Sequence, residues 1–216
     1  MLKKFNNLIT NKKFYWKLRH LIKPNVWSIY YSDSQSKRRQ FYSQFIQQNN
    51  LINIFEFGCG SGPNLFNIDK NVPWNLFYFG YDISSKAIKF AKKKSLKETY
   101  YFTSKISPEI ITSKLDKWKI KKFDLAIYDR VLYLLSEYEI KKHFKTYKDY
   151  MNYLIIDDFH NSENKEKNDT YFSKNYESIL VDFGFKLKRN EPSGHATGED
   201  VFFKRNARRL IFERLS

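Results

Sequence analysis

Residues 54–62 read Ile-Phe-Glu-Phe-Gly-Cys-Gly-Ser-Gly, and Pro63-Asn64-Leu65-Phe66 follow. A short apolar run carries one acid, Glu56, and then glycine stands at every second position: Gly58, Gly60 and Gly62. Proline suits the first turn of a helix, where its missing N–H costs nothing and its φ is already set. The stretch therefore predicts a strand, a tight turn and a helix, with bare backbone against which a ligand can lie. The dinucleotide fingerprint G-x-G-x-x-G would need glycine at 63, where proline stands. The lysine–serine pair of a phosphate loop is also missing, so the turn does not point to a polyphosphate.

Trp74 to Tyr81 reads as a buried strand, with Asp82 at its end, 24 residues after Gly58. A carboxylate at the tip of the second strand of such a unit is placed to accept hydrogen bonds from both hydroxyls of a ribose. Ile83 beside it can cover an adenine face. An NAD enzyme could use Asp82 equally well, but the glycine spacing argues against one.

With these residues in view, the chain resembles the class I S-adenosylmethionine-dependent methyltransferases. Phe55 to Gly62 resembles that family's first motif, Gly80-Tyr81-Asp82-Ile83-Ser84 its second, and Phe123 to Leu132 its fourth-strand motif. The resemblance spans residues 50–205. It implies an α/β fold: a seven-stranded, mostly parallel Rossmann-like sheet with helices on both faces. It also implies S-adenosylmethionine as cofactor and S-adenosylhomocysteine as product. Glu56 would help hold the methionine amino group, directly or through water. Gly58, Cys59, Gly60 and Gly62 would pass the methionine chain, Asp82 and Ile83 would take the adenosine, and Asp129 would sit near the sulfonium. Two departures stand out. Thr103-Ser104-Lys105 replaces the acid that often receives the adenine amino group, and Leu134 stands where related small-molecule enzymes often carry histidine.

A chain of 216 residues accommodates one sizeable core. It has no run of eighteen apolar residues and no secretory pattern, which predicts a protein without a transmembrane segment. Cys59 is the single cysteine, which excludes an intrachain disulfide and fits a reducing cytoplasm. Net charge is +16, from 39 basic and 23 acidic residues. Residues 1–32 hold seven basic side chains and no acid, and Lys204 to Ser216 hold five against Glu213. Basic termini of this kind suit an anionic membrane surface or a nucleic acid. The abundance of Lys, Asn, Ile, Tyr and Phe also fits drift toward AT-rich codons.

The periodicity divides the chain into a helical cap or lid over 1–50, a cofactor-binding core over 51–205 and a basic tail over 206–216. Strands are predicted near 51–57, 74–81, 99–103, 123–128, 150–157, 185–189 and 200–205, the last antiparallel. Ser84 and Ser107 read as helix caps, Ser136 to Glu139 as a capping box, and Gly184 as a helix stop.

Ligands of open α/β sheets bind beyond the carboxyl ends of the strands. His160, Asp158 and His195 fall there and are the candidate catalytic residues, with a histidine as base for a hydroxyl acceptor. His20 and His143 fall in basic helical patterns that predict solvated rings. Asp129 with Asp157-Asp158 also matches the Mg²⁺-ligand pattern of catechol-type enzymes, although Val131-Leu132-Tyr133-Leu134 resembles metal-independent ones. Trp27, Tyr30 and Tyr31 could form a lid, and Arg38 or Arg39 could pair with the methionine carboxylate. The acceptor expected by analogy is a small molecule, with a sugar or glycan precursor favoured. The competing reading is an RNA- or membrane-associated binding protein that keeps the fold without turnover.

Overall fold

The computed structural model describes residues 36–95, 97–163, 172–194 and 201–215. The expected cap helices before residue 36, the Trp27–Tyr31 lid, His20 and His195 lie outside them.

Short apolar runs alternate with amphipathic stretches, and each run becomes a strand. They are β1 (Asn53–Phe57), β2 (Phe77–Tyr81), β3 (Tyr100–Thr103), β4 (Phe123–Asp129), β5 (Met151–Phe159), β6 (Phe185–Pro192) and β7 (Ala207–Arg214). Their order in the sheet is β3-β2-β1-β4-β5-β7-β6. The first five pair in parallel, and β7 runs antiparallel between β5 and β6. The helices are α1 (Lys37–Gln48), α2 (Pro63–Asn71), α3 (Ser85–Lys94), α4 (Pro108–Trp118), α5 (Glu137–Tyr147), α6 (Tyr176–Val181) and α7 (Val201–Asn206).

The start signals act as read. Ser84 Oγ accepts the Ala87 N–H, Ser107 Oγ accepts that of Ile110, and Ser136 with Glu139 closes a full capping box on α5. Strand alternation then sorts the core onto two faces. Phe55, Phe79, Ala126 and Ile156 pack under α4, α5 and α6. Ile54, Tyr78, Ile127 and Ile155 pack under α1, α2 and α3.

One strand is misplaced by the sequence reading. Residues 201–206 form a helix, and the seventh strand is Ala207–Arg214, inside the segment read as a basic tail. The sheet consumes those charges. Arg209 pairs with Asp157 and Glu191, Arg214 with Asp149, and Arg208 donates to Asn190. The helix before β6 is Tyr176–Val181, and Gly184 ends the turn after it at positive φ. No helix among the described residues is long and apolar enough to cross a membrane.

Candidate functional site

The turn after β1 is pinned to the end of β2. The N–H groups of Gly58 and Cys59 both donate to the Tyr81 carbonyl, at 2.7 and 2.9 Å. Gly58, Gly60 and Gly62 all take positive φ, but they face different surroundings. A side chain at Gly58 would strike Val131, at 2.7 Å from its nearest methyl. At Gly60 nothing among the described residues lies within 4 Å of the point a Cβ would occupy, so the turn is open to them there. The turn thus leaves room at Gly60, whereas Gly58 serves the packing of the loop after β4. Cys59 turns its buried sulfur under the turn toward Gly80.

Asp82 faces that opening. Its Oδ2 accepts the Gly60 N–H at 2.9 Å and its Oδ1 that of Ser84 at 2.7 Å. Burial raises its pKa, against the two backbone hydrogen bonds. Ile83 beside it is half-buried. The Oγ of Ser61, in the same turn, is buried without a hydrogen-bond partner among the described residues. An open turn, a tethered carboxylate and an orphaned hydroxyl suit a ligand that brings its own hydroxyls and charged groups.

Beneath the turn lies a polar network on the α1–α2 face. Asn64, in the first turn of α2, donates its Nδ2 to Glu56 at 2.8 Å and to Asp129 at 3.1 Å. The Tyr78 hydroxyl donates to the other Glu56 oxygen. Arg38 reaches both Asp129 oxygens, at 3.2 and 3.0 Å, and Arg39 approaches one at 3.3 Å while donating to Asn64 Oδ1. Glu56 is 1 % exposed, and its pKa is raised to about 7 by burial, with Asp129 adding and Tyr78, Asn64 and Arg39 opposing. The arginines expected at a ligand carboxylate are therefore held at Asp129. Asn64 and Tyr78 were not singled out from sequence. A polar residue in the first turn of the helix after the glycines was the available signal for Asn64.

Two of the expected catalytic residues, His160 and Asp158, sit deeper than a reactive rim. His160 is 2 % exposed; its Nδ1 lies 3.1 Å from the Lys174 carbonyl and 3.2 Å from the Tyr176 N–H. Burial lowers its pKa to about 4. Asp158 is also buried, accepts the N–H groups of Tyr133 and Phe159, and has its pKa raised to about 6, chiefly by burial. His143 corrects the solvated reading. Its ring packs at a tilt against Phe57 with centroids 4.5 Å apart, its Nε2 meets the Tyr128 hydroxyl at 2.9 Å, and burial lowers its pKa to about 3.

The Mg²⁺ pattern does not assemble either. Neighbouring strand residues point to opposite faces, so Asp157 goes to Arg209 and Ser193 while Asp158 goes to backbone N–H groups. Among the described residues no three His, Cys, Asp or Glu side chains group as a metal site.

A family profile described as a methyltransferase domain matches residues 48–191. Among solved structures, magnesium protoporphyrin IX methyltransferase from Synechocystis, with bound S-adenosylhomocysteine, is 15 % identical. It superposes with a TM-score of 0.59, covering 86 % of each chain. The plantazolicin methyltransferase BpumL, also with S-adenosylhomocysteine, is 15 % identical with a TM-score of 0.60 over 100 % of both chains. Mitomycin 7-O-methyltransferase is 12 % identical with a TM-score of 0.60, covering 85 % of this chain and 55 % of its own. No curated protein sequence matches.

Proposed function

This chain belongs to the methyltransferase-domain family, and from that premise we propose that it transfers a methyl group from S-adenosylmethionine to a small-molecule acceptor. The observation that carries the reading is the open turn at Gly60 facing the tethered carboxylate of Asp82. When bound, the cofactor supplies an electrophilic methyl on a sulfonium; everything else is asked of the chain.

Asp82 takes the two ribose hydroxyls, with Ile83 against the adenine. Gly60 gives the methionine chain room. Glu56, Asn64 and Asp129 form the acidic floor for the ammonium group. Arg38 and Arg39 stand next to it as partners for the carboxylate, which requires them to share or release Asp129. Methyl transfer needs the acceptor held in line with the breaking bond, so orientation supplies much of the rate. We assign no proton acceptor among the described residues. His160 and Asp158 instead tie the ends of β4 and β5 to the segments that follow, through Tyr133, Lys174 and Tyr176. The acceptor atom we favour is a hydroxyl oxygen, and a sugar or glycan precursor is the working candidate. Support for a small molecule comes from the structural likeness to enzymes named for porphyrin, plantazolicin and mitomycin acceptors.

Calorimetric titration with S-adenosylmethionine tests the cofactor assignment. Asp82→Ala removes the acceptor of two ribose hydrogen bonds, each worth about 1.5–3 kcal/mol for a charged partner, so affinity should fall by about a hundredfold or more. Equal affinity in the variant and the wild type refutes the assignment of this strand tip.

A further inference from the structure

We propose that the edge of the sheet at β3, flanked by the lysine-rich helices α3 and α4, binds the phosphate backbone of a single-stranded nucleic acid. The first observation is where the charge lies. Residues 85–122 contain twelve lysines against Glu98, Glu109 and Asp116, a net of +9 out of +16, within 38 of 216 residues. Compositional drift would spread the excess evenly and leave about +3 there.

The fold then gathers this segment around one edge. β3 is the outermost strand on its side of the sheet. Ala87, Ile88 and Ala91 seat α3 on one face, and Ile111, Leu115 and Trp118 seat α4 on the other. Their polar sides carry exposed Lys86, Lys89, Lys92 and Lys93 from α3, and Lys117 from α4. The ammonium pKa of Lys114 is lowered first by burial and then by Lys117 on its own helix and Lys92 on the opposite one.

Aromatic rings are interleaved with these cations. Lys114 Nζ lies 4.1 Å from the Tyr101 ring centre and 5.7 Å from that of Trp118. Lys97 lies 5.4 Å from Tyr100 and also pairs with Asp69, and Lys94 lies 5.9 Å from Phe90. Phe90, Tyr100 and Tyr101 are all half-buried. A positive track with ring faces along it is the arrangement that holds a single strand without reading its sequence.

An anionic bilayer is the less suitable partner. Surface-bound proteins add apolar side chains that enter the lipid. Among the described residues, the exposed large apolar ones (Ile52, Tyr138, Phe172, Val181, Val201 and Leu215) lie outside 85–122. The edge is also remote from the β4–β5 ends, so the bound strand acts as a tether, and the proposal stands independently of methyl transfer.

The test is fluorescence anisotropy with a labelled mixed-sequence RNA of about 20 nucleotides, read as affinity against salt. Lys89→Gln/Lys92→Gln/Lys117→Gln should weaken binding at least tenfold in about 0.1 M salt and lower the slope of log K against log salt by about 2, near 0.7 per lost contact. S-adenosylmethionine affinity and the melting temperature should stay at wild-type values. Lys89→Arg/Lys92→Arg/Lys117→Arg should retain binding. Lys141→Gln/Lys142→Gln/Lys145→Gln, on exposed positions of α5, makes the same change in net charge and should leave binding nearly unaltered. An equal loss in that control would mean attraction to net charge alone and overturn the proposal. So would a wild type that fails to bind RNA in about 50 mM salt, or one that prefers phosphatidylserine vesicles through the same lysines. Loss of cofactor affinity with RNA binding intact would count against the proposed function and leave this surface standing.

Discussion

Cofactor binding should be coupled to a proton through Glu56. The carboxyl sits 1 % exposed beneath the glycine turn, with its pKa raised to about 7 by burial. An ammonium group bound on the Glu56–Asn64–Asp129 floor favours the ionised acid, so binding below pH 7 must expel a proton. With a free-state pKa near 7, the ionised fraction rises from about 0.1 at pH 6 to about 0.9 at pH 8, so affinity should rise about tenfold over that interval. At pH 7 about half a proton should leave per ligand bound. Calorimetry in two buffers of different ionisation enthalpy counts that proton directly. Glu56→Gln keeps the shape, removes the titration and leaves only the ligand's own amino group to ionise, so its pH profile is the reference to subtract. For the free protein the sign is opposite. A raised acid stabilises the fold below its unfolded pKa, and that contribution is lost as pH climbs from about 4.5 to about 7. Identical buffer dependence in wild type and Glu56→Gln would refute a floor built on this carboxylate.

Two further outcomes separate ligand effects from scaffold effects. Gly60→Val should retain most of its fold and lose cofactor affinity, because its position is open but its φ is +55°. Gly80→Ala should do the reverse, since its methyl would fall 2.8 Å from Tyr78 and 2.9 Å from Phe102; a lower urea midpoint is expected, and an unchanged one would show that those rings yield freely. His143 is held neutral with a pKa of about 3, so it costs stability as pH falls below the unfolded value near 6.5, at about 1.4 kcal/mol per unit. His143→Phe should therefore lose less stability than wild type between pH 7 and pH 5 in denaturant titrations, after an offset of about 1 kcal/mol at neutral pH for the lost Tyr128 hydrogen bond. Parallel pH profiles would contradict that account.

The parallel half of the fold was legible because its signals are local. Glycine spacing, Pro63, the serine caps and apolar runs each act within a few residues, and all lie where they were read. The seventh strand was not, and the reason is electrostatic. Arg208, Arg209 and Arg214 make Ala207–Arg214 look like a solvated tail until Asn190, Asp157 and Asp149 are brought beside them. Those partners are 18 to 65 residues away, beyond any local pattern. His143 misled in the same way. Lys141, Lys142 and Lys145 mark its helix as wet, but the histidine lies on the opposite side, among Phe57, Tyr128 and Tyr147.

For the site, sequence supplies positions along the backbone, whereas the pairing of side chains decides what each can do. Glu56, Asp129 and Asp157 stand on adjacent strands β1, β4 and β5, and Asp129 is directly opposite Asp157 in register. All three carboxylates meet polar partners on the α1–α2 face: Asn64 and Tyr78 at Glu56, Arg38 and Arg39 at Asp129, Arg209 at Asp157. Such a row of acids would be costly to bury without those arginines, because an unpaired internal charge loses its hydration with nothing in return. The same pairing makes α1 more than a cap. Arg38 lies 91 residues from Asp129, so their contact ties the segment before β1 to the tip of β4. A ligand bearing both an ammonium and a carboxylate can satisfy the acids and the arginines at once. For the proposed site, ligand binding and the seating of α1 are therefore expected to be two readouts of one electrostatic balance.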